Sequence, residues 1–244
     1  MLVIVIVITG DKAMNGNSKV VHSNQPGPHA RLAELVARHA AHPFKKPPAA
    51  YSEQAFAQLR GAWDGHRALI LDAGCGTGES SLALARLYPD SLVVGIDQSQ
   101  ARLAQGLRKL QSTLSAGSGA DNLLLLRADV VDFWLLLARN GMRLSRHYLL
   151  YPNPWPKAAQ VMRRWPAHPA FPLLPQLGGV LECRSNWRIY VEEFSLACGL
   201  LGRAAPACEV FVPEDPLTPF ERKYRDSGHA LYRACLDLGP GLNR

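Results

Sequence analysis

Three carboxylates stand at matching places in this chain, each closing an apolar run: Asp72 in LILDAG, Asp97 in LVVGID and Asp129 in LLLLRAD. After the first comes DAGCGTGES, with Gly74, Gly76 and Gly78 at alternate positions. Glycine accepts left-handed backbone and lets a ligand come close to the main chain, so such a loop can wrap a small molecule. A helix N-terminus after the loop would favour pyrophosphate, but Asp72 and Glu79 flank it and would repel phosphate. Two acids there suit a ligand that carries an ammonium and a sulfonium. Asp97 follows the loop at about the 20-residue spacing where an acid takes ribose hydroxyls.

A second group of residues sits at YPNPWPK, 151–157, directly after the apolar HYLL. Prolines at 152, 154 and 156 remove backbone donors and fix φ, so they end the strand and hold Asn153 and Trp155 stiffly at its mouth. Lys157, Arg163 and Arg164 follow in KAAQVMRRW. Such a run is commonly a solvated surface, but beside a pocket it suits phosphate contact.

The elements that must position these groups read as an alternation. Strands are expected at RALILDAG, SLVVGID, LLLLRAD, RHYLLYP and GGVLECRS, with helices at ESSLALARLY, SQARLAQGLRKLQSTL, VVDFWLLLARNG, HPAFPLLPQL and WRIYVEEFSLACGLL between and after them. ACEVFVP and HALYRACLDL read as closing strands around a polar, basic insert. This pattern predicts an α/β fold with a mostly parallel sheet and helices on both faces. The near-continuous apolar strand runs fit burial on both sides. All three acids then fall at strand C-termini, along one edge of the sheet.

Ahead of this domain (61–244) two helices are expected, in a helical extension over 29–60, and residues 1–28 read as a flexible segment. The opening LVIVIVI is far short of the ~20 apolar residues of a membrane span and has no basic residue before it. It reads as an extra strand or an over-long start, with Met14 as an alternative initiator. The chain has 244 residues, 48% of them hydrophobic, and a net charge of +7, which fits an anionic partner such as nucleic acid. Five cysteines without a C-x-x-C pair point to a reduced cytoplasmic protein. None of the eight histidines forms a metal pair such as H-E-x-x-H, and Cys75 reads as a small space-filler rather than a nucleophile. Arg31, Arg38, Lys45 and Lys46 either add a second surface for such an anionic partner or form an ordinary solvated helix face.

The glycine loop with its three strand-end acids resembles the Rossmann-like S-adenosylmethionine (SAM) methyltransferases, from about residue 67 to the C-terminus. That resemblance implies Asp72 at the methionine amino group, Asp97 at the ribose and Asp129 by the adenine. On it, YPNPWPK becomes an acceptor lip, where the Asn153 carbonyl can accept from a base N–H and Trp155 can stack.

Together with SNW at 185–187 and TPFERKY at 218–224, the lip is similar to that of the bacterial tRNA (guanine-N7)-methyltransferases, over roughly 67–232. This implies methyl transfer from SAM to a variable-loop guanine (position 46) of tRNA by a monomer or homodimer that needs neither metal nor membrane. It also implies that Asn153 holds the catalytic place and that Trp155, Lys157, Asn186, Thr218, Pro219, Phe220 and Glu221 meet guanine or tRNA. Asn153 and Asn186 stand where the family usually has Asp. Two other readings use the same residues: a methyltransferase for another RNA or an exocyclic amine, whose lip carries Asn-Pro-Pro-aromatic, and a SAM- and RNA-binding paralogue that has lost turnover.

Overall fold

The computed structural model describes residues 18–114 and 121–239. The expectations for LVIVIVI and Met14 lie outside the described residues. Seven strands form one sheet: β1 (Leu69–Ala73), β2 (Leu92–Asp97), β3 (Leu123–Arg127), β4 (Arg146–Leu150), β5 (Val180–Ser185), β6 (Glu209–Phe211) and β7 (Leu231–Asp237). Their order is β3-β2-β1-β4-β5-β7-β6. The first five are parallel, while β7 runs antiparallel to both β5 and β6. Every residue of β1 and β2 is buried, because helices cover both faces of these apolar strands.

The helices are α1 (Leu32–Ala41), α2 (Ala50–Ala62), α3 (Glu79–Leu87), α4 (Gln100–Leu114), α5 (Val130–Arg139), α6 (Leu174–Leu177), α7 (Arg188–Leu200) and α8 (Pro219–Asp226). Leu32, Leu35 and Val36 of α1 and Phe56 and Leu59 of α2 lie in the same core as Trp134, Phe171 and Phe194. The two N-terminal helices therefore share the core of the sheet.

Two elements differ from the sequence reading. HPAFPLLPQL forms a 3-10 turn at Phe171–Leu173 and only one turn of α-helix at α6, because Pro169, Pro172 and Pro175 cannot donate along a longer helix. The polar insert before β7 contains α8, whose start is marked by the Thr218 hydroxyl accepting from Glu221 N at 2.9 Å and by Pro219 at the first helical position.

The strand order reverses between β1 and β4, the place where open α/β sheets form a crevice at the strand ends. β1 leads into the glycine loop and β4 into the proline lip. Sheet topology thus brings the loop at 74–78 and the lip at 152–156, 78 residues apart, to opposite sides of one crevice.

Candidate active site

The crevice is a cleft of about 880 Å³, lined on one side by the glycine loop and on the other by Asn153, Trp155, Arg163 and Asn186. Its size suits a nucleoside-sized ligand with room for a second group.

On the loop side, Gly74, Gly76 and Gly78 all have left-handed φ, between 62° and 81°. A Cβ at Gly74 or Gly76 would meet nothing within 4 Å, so both present bare backbone to open space. Gly106 of α4 matters for another reason: a Cβ there would sit 1.8 Å from Thr77 O, so α4 can back the loop only without a side chain.

The three acids divide their work. Asp72 is buried, and its Oδ2 accepts from Ser80 Oγ at 2.5 Å and Ser81 Oγ at 2.7 Å. Burial raises its carboxyl above the usual range, the two hydroxyls work against that, and the Asp97 charge adds to the rise. Asp97 accepts from Gly76 N at 3.0 Å and Ser99 N at 2.7 Å and pairs with Arg102 at 3.0 Å. It therefore holds the glycine loop in shape. Asp129 caps α5 by accepting from Val131 N and Asp132 N at 2.9 and 3.2 Å. All three line the cleft. At the mouth, Glu79 pairs with Arg222 of α8 at 3.1 Å and with Lys109 at 4.0 Å.

These residues fit SAM on their donor chemistry. Open loop backbone, acids at three strand ends and no basic side chain within the loop suit a cationic, hydroxyl-rich ligand better than a phosphate. Among the described residues Asp72 and Asp129 have hydrogen-bond partners but no ion-pair partner, which leaves their charge for a cationic group.

On the lip side, Tyr151 and Trp155 are the non-glycine residues with left-handed φ, at 50° and 45°, among the described residues. Bulky residues in this region cost of order 1–3 kcal/mol each and persist only where their surroundings impose them. Two buried charged groups do so. Glu221 is fully buried; its Oε1 accepts from Tyr151 Oη at 2.8 Å and Arg184 Nη1 at 3.0 Å, and its Oε2 from Leu217 N at 2.6 Å. Burial pushes the Tyr151 hydroxyl well up, with the Glu221 charge adding, so it stays a donor. Arg164, 0% exposed, donates to Trp155 O at 3.0 Å and pairs with Glu193 at 2.6 Å.

Several expected contacts therefore occupy other places. Arg164 was expected at phosphate, but its guanidinium is spent beneath the lip and reaches no surface. Glu221 lies underneath, and Thr218 is buried as the α8 cap while still lining the cleft. Arg163 is exposed, with its guanidinium 4.6 Å from the Trp155 ring centre. Lys157 is exposed, and Phe220, 55% exposed, stands at the cleft rim. Asn153 is exposed, its Oδ1 3.4 Å from Trp155 N, and Asn186 Nδ2 lies 3.3 Å from His229 Nδ1. Residues that the sequence reading missed are Ser80, Ser81, Arg184, Glu193 and His229. Only the two serines carried a signal, as hydroxyls in the first turn after the glycine loop.

Fold and site together define a Rossmann-like, SAM-dependent methyltransferase. Residues 66–234 match the family model described as "Putative methyltransferase". The chain is 31% identical over 190 residues to the tRNA (guanine-N(7)-)-methyltransferase of Acidithiobacillus ferrooxidans, covering 74% of this chain and 80% of that one. It is 30% identical over 175 residues to the enzyme of that name from Mycolicibacterium gilvum, covering 66% and 65%. This chain belongs to the tRNA (guanine-N(7)-)-methyltransferase family. The fold is also that of the 16S rRNA methyltransferase KamB, with a TM-score of 0.54 over 79% of this chain and 96% of that one at 21% identity. No helix among the described residues is long and apolar enough to cross a membrane, and no group of metal-binding side chains occurs among them.

Proposed function

We propose that this enzyme methylates N7 of a guanine in the variable loop of tRNA, position 46, in the cytoplasm. The observation that carries the reading is the single cleft with the glycine loop on one side and the proline lip on the other. Family membership supplies the reaction class.

Bound SAM supplies an electrophilic methyl group on a sulfonium. Guanine N7 has a free lone pair and no proton to lose, so the chain need not provide a general base. Its tasks are to place the base in line and to favour the positive charge that grows on the purine. Asp72, Asp97 and Asp129 bind and orient the donor. Trp155 offers a stacking face that Arg163 already backs, and the Asn153 amide offers an acceptor oxygen to a base N–H. Asn186, Thr218 and Phe220 border the same space. Lys157 and Arg163, both exposed, are placed for backbone phosphate. Glu221 and Arg164 act from beneath by fixing the lip.

The amide at Asn153 forgoes a charge-assisted contact to the developing cation, which costs on the order of 1–2 kcal/mol. That slows the reaction without removing it. The reading is tested with a tRNA transcript whose variable-loop guanine is replaced by adenine. Methyl incorporation should vanish on that transcript and persist on the parent; equal incorporation into both would refute the assigned position.

A further inference from the structure

Residues 18–29 precede the part of the chain matched by the family model, yet they lie against the acceptor side of the cleft. They form no helix or strand. Ser23 Oγ donates to Pro156 O at 2.8 Å, on the lip itself. Gln25 Oε1 accepts from Arg164 Nη2 at 2.5 Å, and His29 N donates to Glu193 Oε1 at 3.0 Å. At the start of the segment, Ser18 N donates to Ser227 Oγ at 3.1 Å and Ser18 O lies 3.0 Å from His229 Nε2.

These contacts converge on two groups of the acceptor face. Arg164 is a planar fork with a fixed set of donors, and here each branch has a task. Nε and Nη2 reach the carbonyls of Trp155 and Lys157, at 3.0 and 3.3 Å. Nη1 reaches Glu193 at 2.6 Å and Nη2 also reaches Gln25, while the guanidinium lies 4.8 Å from the Trp187 ring centre. Removing one acceptor leaves a buried charge with an open donor and frees the fork to turn, and the Trp155 carbonyl would turn with it. His229 forms the second link. With its proton on Nε2, it donates to Ser18 O and accepts from Asn186 Nδ2, which fixes the amide of Asn186.

We propose that the segment Ser18–His29 is a built part of the acceptor face, and that Gln25 is a positioning residue that acts through Arg164 to hold Trp155 in its left-handed conformation. The inference rests on the reading of the lip as the site of the acceptor base. It makes the segment a condition for methyl transfer but not for SAM binding, because none of its contacts touches the glycine loop.

The test compares the full chain with Gln25→Leu and Gln25→Glu, the second of which keeps an acceptor oxygen for Arg164. Hydrogen exchange is measured on the lip peptide, 149–165, and on the loop peptide, 69–82, alongside single-turnover methyl transfer to tRNA and SAM affinity by calorimetry. In Gln25→Leu the lip should exchange faster and transfer should slow about tenfold, the effect expected of one lost bond to a charged group. Loop exchange and SAM affinity should stay at wild-type values, and Gln25→Glu should restore the lip. Unchanged lip exchange in Gln25→Leu would overturn the proposal whatever the rate. Equal loosening of lip and loop would overturn it too, since that is general destabilisation. A wild-type protein inert toward tRNA would sink the acceptor reading, whereas the exchange of the lip would still report whether Gln25 positions it.

Discussion

Asn153 is exposed on the lip and lines the cleft, in the place proposed above for the acceptor of a base N–H. An amide can accept a hydrogen bond but brings no negative charge to a purine that becomes cationic. Asn153→Asp should therefore leave the rate of methyl transfer to tRNA unchanged or raise it up to about tenfold. A complete loss would point to a substrate that the amide itself reads. Asp97 is tested on the donor side. Its carboxylate holds Gly76 N and Arg102 and borders the cleft. Asp97→Ala should weaken SAM binding about tenfold or more in calorimetry, by loss of charged hydrogen bonds and of loop shape together. Unchanged affinity would disprove the assignment of the donor half.

The proline lip is the element that most needs support. Its prolines restrict it, but Tyr151 and Trp155 at left-handed φ are imposed from beneath by Glu221 and Arg164. Arg164→Ala would leave Glu193, fully buried, without its cation. Urea unfolding should show a loss of about 3–5 kcal/mol, as for other broken buried pairs. A loss within 1 kcal/mol would mean that the pair contributes little.

This element also marks the limit of what the sequence discloses. The alternation of apolar strands and amphipathic helices, the glycine loop and the strand-end acids are local patterns, and the parallel sheet and the cofactor edge follow from them. Partners such as Arg164–Glu193 and Arg184–Glu221 are 29 and 37 residues apart, so no local period announces them. Arg164 looks like its exposed neighbour Arg163 in sequence; only the fold determines which of the two is buried. The α8 helix was hidden for a different reason. Its residues PFERKYRD are strongly polar, so the Thr218 cap and Pro219 were its main signals.

At the scale of the whole molecule, burial of a titratable core group ties stability to pH. His147 of β4 is buried against Trp134, with its Nε2 accepting from Trp134 Nε1 at 3.1 Å, and desolvation lowers its pKa to about 3. The unfolded imidazole binds a proton below about pH 6.5, but the folded one does not until about pH 3. Between those values the unfolded state carries the extra proton, so stability falls as pH falls, by about 1.4 kcal/mol per unit from this group alone. His168, lowered to about 4 mainly by desolvation, adds to the loss over the upper part of the window. His147→Gln keeps an acceptor for Trp134 without titrating. Urea midpoints measured from pH 7 to 4.5 should fall less steeply for that variant than for the wild type, and parallel slopes would contradict this account.

Function in this enzyme rests, as proposed above, on one cleft that joins a SAM-binding loop to a lip receiving guanine N7. The most direct measurement is incubation of the full chain with methyl-labelled SAM and unmodified tRNA, followed by nuclease digestion and nucleoside chromatography. Label is expected in 7-methylguanosine. Label in any other nucleoside, or none while SAM still binds, would contradict that proposal.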